Sequence, residues 1–266
     1  MKRVVGALMG AVLLLCGVVP ARAGEADAPL FTFVQVSDTH VVAEKSAEAV
    51  RQGIREIARL DPAFVVITGD IINGEAPEAS TRFAKELFAT LRCPVHAVYG
   101  NHDHREWHQK VWGETNYAFD QAPYHCIVLD NIDVSVPEAQ ETYGGRFSER
   151  TIAWLEAHLR TVPRDTPLLL FCHASVFQEH PYAKALPGDA YNYEPVLKLL
   201  REHKVVAWFS GHAHRNSIVR KDGIDYITTG GLSDLRQNAD GPVGYRVVRV
   251  YRDRVESTFQ AVKLPE

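Results

Sequence analysis

Sulfur is scarce in this chain. Its 266 residues include four cysteines and two methionines, and because Cys16 falls in an apolar N-terminal segment, three thiols remain, Cys93, Cys126 and Cys172. Three scattered cysteines exclude a disulfide framework and a cysteine-based zinc site. Each sits beside or within an apolar run, which points to buried packing; an oxidising compartment would permit one pair and leave one thiol over. A charge bias is missing too, since 29 Lys and Arg stand against 33 Asp and Glu. That balance excludes a basic surface tracking the phosphates of a nucleic-acid polymer. A small anionic substrate stays open, because a bound cation overrides the global sign locally. No internal repeat, low-complexity tract or linker divides the chain, and no surface feature argues for a particular assembly. Its 46% hydrophobic content over this length suits one large α/β domain.

The one long hydrophobic run stands at the start. Met1-Lys2-Arg3 form a basic n-region, VVGALMGAVLLLCGVV an apolar h-region ending at Pro20, and Ala21-Arg22-Ala23 a small-x-small cleavage site. The expectation is a signal peptide over residues 1–23, a single domain over 24–266, and an exported protein, periplasmic or secreted. The run is short for a span of about 20 residues and lacks a basic stop-transfer flank, so no stable membrane span is expected after cleavage. Leu15 before Cys16 argues against lipid attachment, which needs a small residue there.

Beyond the leader, short apolar runs alternate with amphipathic ones. FTFVQV, AFVVITGD, PVHAVYGNHD, YHCIVLD, PLLLFCHAS and VVAWFSGHAH read as buried strands. Between them, SAEAVRQGIREIARL (behind a Ser46 cap), PEASTRFAKELFATL, SERTIAWLEAHLRTV and NYEPVLKLLREHK carry apolar residues at helical spacing. This alternation implies βαβ units with helices covering the sheet faces. The tail, from SIVRKDG to VESTF, is strand-rich and reads as antiparallel. Residues 174–192 hold two prolines, a glycine and two tyrosines without a clear period, and read as a long loop beside the site.

Five strand exits end in the same kind of residue: VSDTH, ITGD, YGNHD, FCHAS and FSGHAH. In an open α/β sheet the carboxyl ends of parallel strands converge on one edge, where ligands bind. Asp38-Thr39-His40 and His212-Ala213-His214 place two polar side chains two residues apart, which on an extended chain aims both to one side. Gly69, Gly100 and Gly211 stand just before a polar residue, where a Cβ would obstruct close approach. Singly, such an Asp is more often a cap and such a His more often a hydrogen-bonded core residue. Together they supply carboxylates, imidazoles and an amide in the mixture that suits Zn, Mn or Fe.

The set resembles the calcineurin-like metallophosphoesterase superfamily, whose motifs run D-x-H, G-D, G-N-H-[DE], H and G-H-x-H. Here they are Asp38-Thr39-His40, Gly69-Asp70, Gly100-Asn101-His102-Asp103, His173 and Gly211-His212-Ala213-His214. The resemblance implies a four-layer αββα sandwich with a dinuclear metal site at the strand C-terminal ends. It implies one ion on Asp38, His40 and His214, a second on Asn101, His173 and His212, and Asp70 bridging both. It further implies hydrolysis of a small phosphoester by a metal-bridging hydroxide, with His102 over the substrate and Asp103 orienting His102 or serving as a turn residue. Asn73 stands where purple acid phosphatases carry a tyrosine, so the pattern is nearer the class III phosphodiesterase-like branch. Phosphodiesters are then the expected substrates, and a broad phosphomonoesterase is the alternative. A non-catalytic binding protein on this fold would have lost ligands, and all are present. Candidate substrate residues are Asn73, His104, Arg105, Tyr182, Tyr191, Asn192 and Arg236.

Overall fold

The computed structural model describes residues 28–43, 47–132, 145–176, 193–236 and 238–263. The leader, Ser46, Tyr182, Tyr191, Asn192 and most of the 174–192 loop therefore lie outside the described residues. In chain order the elements are β1 (Phe31–Val36), α1 (Glu48–Ala58), β2 (Val65–Ile67), α2 (Pro77–Phe88), β3 (Val95–Ala97), α3 (Arg105–Val111), β4 (Tyr117–Gln121) and β5 (Tyr124–Val128). There follow α4 (Glu149–Leu159), β6 (Pro167–Phe171), α5 (Tyr193–Leu200), β7 (Lys204–Ser210), β8 (Ser217–Lys221), β9 (Ile224–Thr228), β10 (Gly244–Val250) and β11 (Val255–Ala261).

Two sheets form, ordered β11-β10-β1-β2-β3 and β4-β5-β6-β7-β9-β8. Period-two alternation assigns each strand's two faces to different layers. Phe31 and Phe33 of β1, Val66 of β2, Leu169 and Phe171 of β6, and Phe209 of β7 share one cluster that contains residues of both sheets. The intervening Val34, Val36, Val65 and Ile67 pack with Val50, Ile54 and Ile57 of α1 and with Leu87 and Phe88 of α2. Leu168, Leu170 and Trp208 pack with Leu155 and Leu159 of α4 and with Val196 and Leu200 of α5. The result is helix, sheet, sheet, helix, the sandwich that the motifs imply.

Three details depart from the sequence reading. The α1 helix starts at Glu48 with Ala47 at its N-cap position, and its Ala49 N–H is taken by Asp234 Oδ1 at 2.8 Å, a partner 185 residues away. The tail is not uniformly antiparallel: β9 pairs parallel with β7, while β10 crosses to the other sheet and runs antiparallel to β1. Finally, α3 and β4 occupy a stretch without a clear period. The thiols of Cys93, Cys126 and Cys172 are free. Cys172 Sγ donates to Ala174 O at 3.1 Å and accepts from Trp208 Nε1 at 3.0 Å, a packing role. Among the described residues no helix is long and apolar enough to cross a membrane.

Candidate metal centre

β1, β2 and β3 of one sheet and β6 and β7 of the other run parallel within their sheets and deliver their C-terminal exits to one edge. There Asp38, His40 and His214 gather within 4.8 Å of one another, and so do Asp70, His173 and His212. A third grouping, His40, Asp70 and His102, overlaps the first two. Asp70 sits between the two ends, with His40 Nε2 at 3.8 Å from Oδ2 and His173 Nε2 at 3.3 Å from Oδ1. Asn101 Oδ1 lies 3.1 Å from His173 Nε2.

The backbone there is not the extended chain that a period of two assumes. Asp38, His40, Asp70, His212 and His214 all have positive φ, between 46° and 67°. Five of the nine such non-glycine residues described are thus at this edge. A left-handed residue costs about 1–2 kcal/mol, so the strain is concentrated where the ligand-type side chains leave the strands. Alternation survives because two left-handed residues flank Thr39, and two flank Ala213. The β1 and β2 exits hold each other through Asp38 N–H to Gly69 O at 3.1 Å and His40 N–H to Asp70 O at 3.0 Å. Close approach explains two glycines: a Cβ at Gly211 would strike Ser37 Oγ and the Asp38 carboxylate, and one at Gly100 would strike Asp70.

Donor chemistry tests whether these residues suit a cation. His40 Nε2 and His214 Nε2 face each other at 3.1 Å, and His212 Nδ1 faces His173 Nε2 at 3.1 Å. Two imidazoles pointing nitrogen at nitrogen offer lone pairs to a common centre. His173 Nδ1–H donates to Thr68 O at 2.7 Å, so Nε2 is the nitrogen that gives up its proton and offers a lone pair to a metal. Asp38 Oδ2 accepts from Ser37 Oγ at 2.5 Å and from His212 N–H at 2.9 Å, while Oδ1 is buried with His214 Nε2 3.3 Å away. One oxygen is anchored and the other faces the cluster. The residues fit a metal.

Charge agrees. Burial pushes the Asp38 carboxyl up, but the His214 hydrogen bond and the charges of His214 and His173 outweigh it and hold the group at about 2. Burial acts likewise on Asp70, and His173 overrides it to keep the carboxyl well below its usual range. His40 is pushed down to about 4 by burial, so it is neutral with its lone pair available. His173 is also lowered by burial, yet Asp70 raises it to about 9, so a metal taken up there must displace a proton.

His102 is half-buried, its ring 4.9 Å from that of His40 at 85°, and its backbone N–H donates to Asp70 Oδ1 at 2.8 Å. Asp103 does not orient it. Its Oδ1 accepts from Ile72 N–H at 3.0 Å and its Oδ2 from Gly100 N–H at 2.9 Å, clamping the β2 exit to the β3 exit. Burial and the Asp70 charge push its carboxyl up to about 7. Of the two roles weighed for Asp103, the turn residue is the one observed. Arg105 is committed to Asp130 Oδ2 at 2.5 Å, to Ile132 O at 3.0 Å and to the Tyr99 ring at 4.1 Å, which ties α3 to the β5 exit. His104 is exposed at the N-terminus of α3. Asn73 and Arg236 meet across the rim, Nη2 to Oδ1 at 3.5 Å.

Sequence reasoning missed Ser37, Thr68 and Asn131. Asn131 Oδ1 accepts from the N–H groups of His173 and Ala174, and its Nδ2 donates to Ala174 O, so it shapes the β6 exit. Its signal was readable: the strand exit VLDN obeys the same rule as the other five.

Residues 31–216, which contain every motif above, match the family model for calcineurin-like phosphoesterases. The chain belongs to that family. A probable cyclic nucleotide phosphodiesterase of Rhodopseudomonas palustris is 33% identical over 214 residues, covering 69% of this phosphoesterase and 71% of its own length. A manganese-dependent ADP-ribose/CDP-alcohol diphosphatase of Danio rerio is 24% identical over 277 residues, covering 79% and 84%. Among solved structures, a dimetal phosphatase from Danio rerio superposes with a TM-score of 0.69 at 19% identity, over 88% of this chain and 97% of its own, which shows the shared fold. This phosphoesterase is therefore a metal-binding hydrolase acting on phosphoric ester bonds.

Proposed function

We propose that this phosphoesterase uses two divalent ions (Mn, Fe or Zn) and prefers small phosphodiesters. The observation that carries the reading is the pair of facing imidazole couples, His40 with His214 and His173 with His212, on either side of Asp70. Asp38, His40 and His214 would hold one ion, Asn101, His173 and His212 the other, and Asp70 both. When bound, such a pair polarises phosphoryl oxygens and lowers the pKa of water to near neutral. Asp70 and Asp38 supply the negative charge that keeps two cations together, and Asn101 ligates through a neutral oxygen, which limits repulsion of an anionic substrate. His102, over the edge of the cluster, is placed to give a proton to the leaving oxygen or to hold a phosphoryl oxygen. The diester preference is supported by the cyclic nucleotide phosphodiesterase relative and by Asn73 at the position of the purple-enzyme tyrosine.

Turnover on bis-p-nitrophenyl phosphate relative to p-nitrophenyl phosphate tests the substrate class in chelator-stripped protein reloaded with manganese. A ratio well above one is expected, and one well below it would make the protein a monoesterase. Two metal ions per chain by elemental analysis are expected, and a single equivalent would overturn the dinuclear reading. Changing His102→Ala should lower kcat by about 10²–10⁴-fold while both ions are retained. Export is part of the same proposal, supported by the basic-then-apolar composition of residues 1–23. Mass spectrometry of protein from the native host should find Gly24 at the N-terminus.

A further inference from the structure

A second cluster of imidazoles lies away from the five strand exits, on the helix-covered face of the other sheet. His125 of β5 stands directly opposite Asp120 of β4 in the ladder, and its Nδ1–H donates to Asp120 Oδ1 at 2.6 Å. That hydrogen bond leaves Nε2 as the lone-pair nitrogen. It points at His158 Nε2 of α4, 2.8 Å away. His158 in turn is stacked on Trp154 one turn earlier in the helix, ring centroids 4.9 Å apart and planes 7° from parallel. Both rings are thus held in orientation by a neighbour, one by a carboxylate and one by an indole.

We propose that His125 and His158 form a further metal-binding site, taking one imidazole-seeking transition ion of the zinc, nickel or copper class. The nitrogen-to-nitrogen distance is close to the 3.1 Å of each couple at the metal centre, with the rings more nearly parallel, 19° against 49° and 73°. The two rings meet nearly end-on, planes 19° apart and centroids 5.1 Å apart, and a tetrahedral ion with bonds of about 2.0–2.1 Å holds neighbouring nitrogens about 3.3 Å apart, so the rings must separate by about half an ångström and tilt until both lone pairs converge on the ion. At present His158 Nε2–H donates to the lone pair of His125 Nε2; on binding, the His158 proton moves by way of solvent from Nε2 to Nδ1 of the same ring, and both Nε2 lone pairs go to the ion. The carboxylate behind His125 repeats the carboxylate–histidine–metal arrangement that raises ligand basicity. His158 occupies the last turn of α4, where the helix dipole favours a cation. Water completes the coordination on the open side, since the Asp120 side chain is 79% exposed. Imidazole donors without a bound carboxylate select against manganese and magnesium and for the later first-row ions.

Equilibrium dialysis against Ni²⁺ at neutral pH, comparing the purified protein with His158→Gln and His125→Gln, measures the difference in bound ion. The catalytic centre is common to all three and cancels. The wild type should retain one Ni²⁺ more per chain than either variant, with manganese-supported hydrolysis equal in all three. Equal uptake would show the pair to be an ordinary hydrogen bond and would overturn the proposal. Trp154 reads the unmodified protein independently: Ni²⁺ against His158 should quench its fluorescence and chelator should restore it. The same quench in Trp154→Phe, or none in the wild type, would also overturn it.

Discussion

Within a few residues of β1 the layer between the sheets changes character. Phe31 and Phe33 enter an aromatic cluster in which Phe33 stacks on Phe64 at 4.6 Å and meets Phe209 edge-on at 5.1 Å. Gln35, on the same face and equally buried, enters a polar one. Its Nε2 donates to Ser210 O at 2.8 Å and Thr68 Oγ1 at 3.1 Å, and its Oε1 accepts from Thr229 Oγ1 at 2.6 Å. Arg246 Nε then donates to Thr229 Oγ1 at 2.8 Å. Three residues further on is Asp38. The aromatic end is held by non-directional burial, which fixes volume and little else. The polar end is held by directional bonds, which fix the angles at which Thr68 O, Asp38 and His173 meet. Stability resides at one end of the layer and geometry at the other.

Substitutions can break that division. Asp70→Asn should leave the fold and the aromatic end intact while reducing turnover on the order of 10⁴-fold, as when one member of a cooperating catalytic unit is lost; retained activity would refute the shared carboxylate. Phe33→Ala should do the reverse, costing about 3–5 kcal/mol in chemical denaturation with turnover per folded molecule near that of wild type. Ser37→Ala removes the donor that anchors Asp38 Oδ2 and should weaken metal affinity or activity about 10–100-fold, measured by chelator competition, with little change in denaturation midpoint. The smallest effect sharpens the contrast from a third place. His108 is 2% exposed with neither ring nitrogen hydrogen-bonded among the described residues, and burial, with the Arg105 charge, lowers it to about 3. The unfolded chain takes up that proton first, near pH 6.5, so stability is lost as pH falls from there toward about 3. Urea titrations should show wild type losing about 1 kcal/mol more than His108→Leu over the first pH unit below 6.5.

Much of this was legible before any coordinates. Alternating apolar strands and amphipathic helices announce a sheet with covered faces, because burial requires each strand face and each helix stripe to find a partner. Ligand-type residues at five strand exits announce a shared edge, because parallel strands end on one side. Less legible were the short helix α3, whose seven residues carry too few turns for a period to show, and the splitting of the tail between sheets. Arg105 looked like a substrate residue as a polar residue of the presumed rim, and only its contacts with Asp130 and Tyr99 reveal a tether. Asp103 could be read as a partner of His102 or as a turn residue, and only its bonds to the Ile72 and Gly100 N–H groups decide between them.

By itself the sequence determined which atoms are available: the carboxylates, the imidazoles, the amide, their order and the faces from which they leave. Tertiary structure alone decided their directions. Left-handed backbone at Asp38, His40, Asp70, His212 and His214 is imposed by the packing of one exit against another. Which nitrogen of His173 carries its proton is set by the carbonyl of Thr68, 105 residues away. That His125 faces His158 follows from a helix laid across a strand. The reason is common to all three. Local sequence restricts a residue to a few conformations, and only contacts between distant segments choose among them.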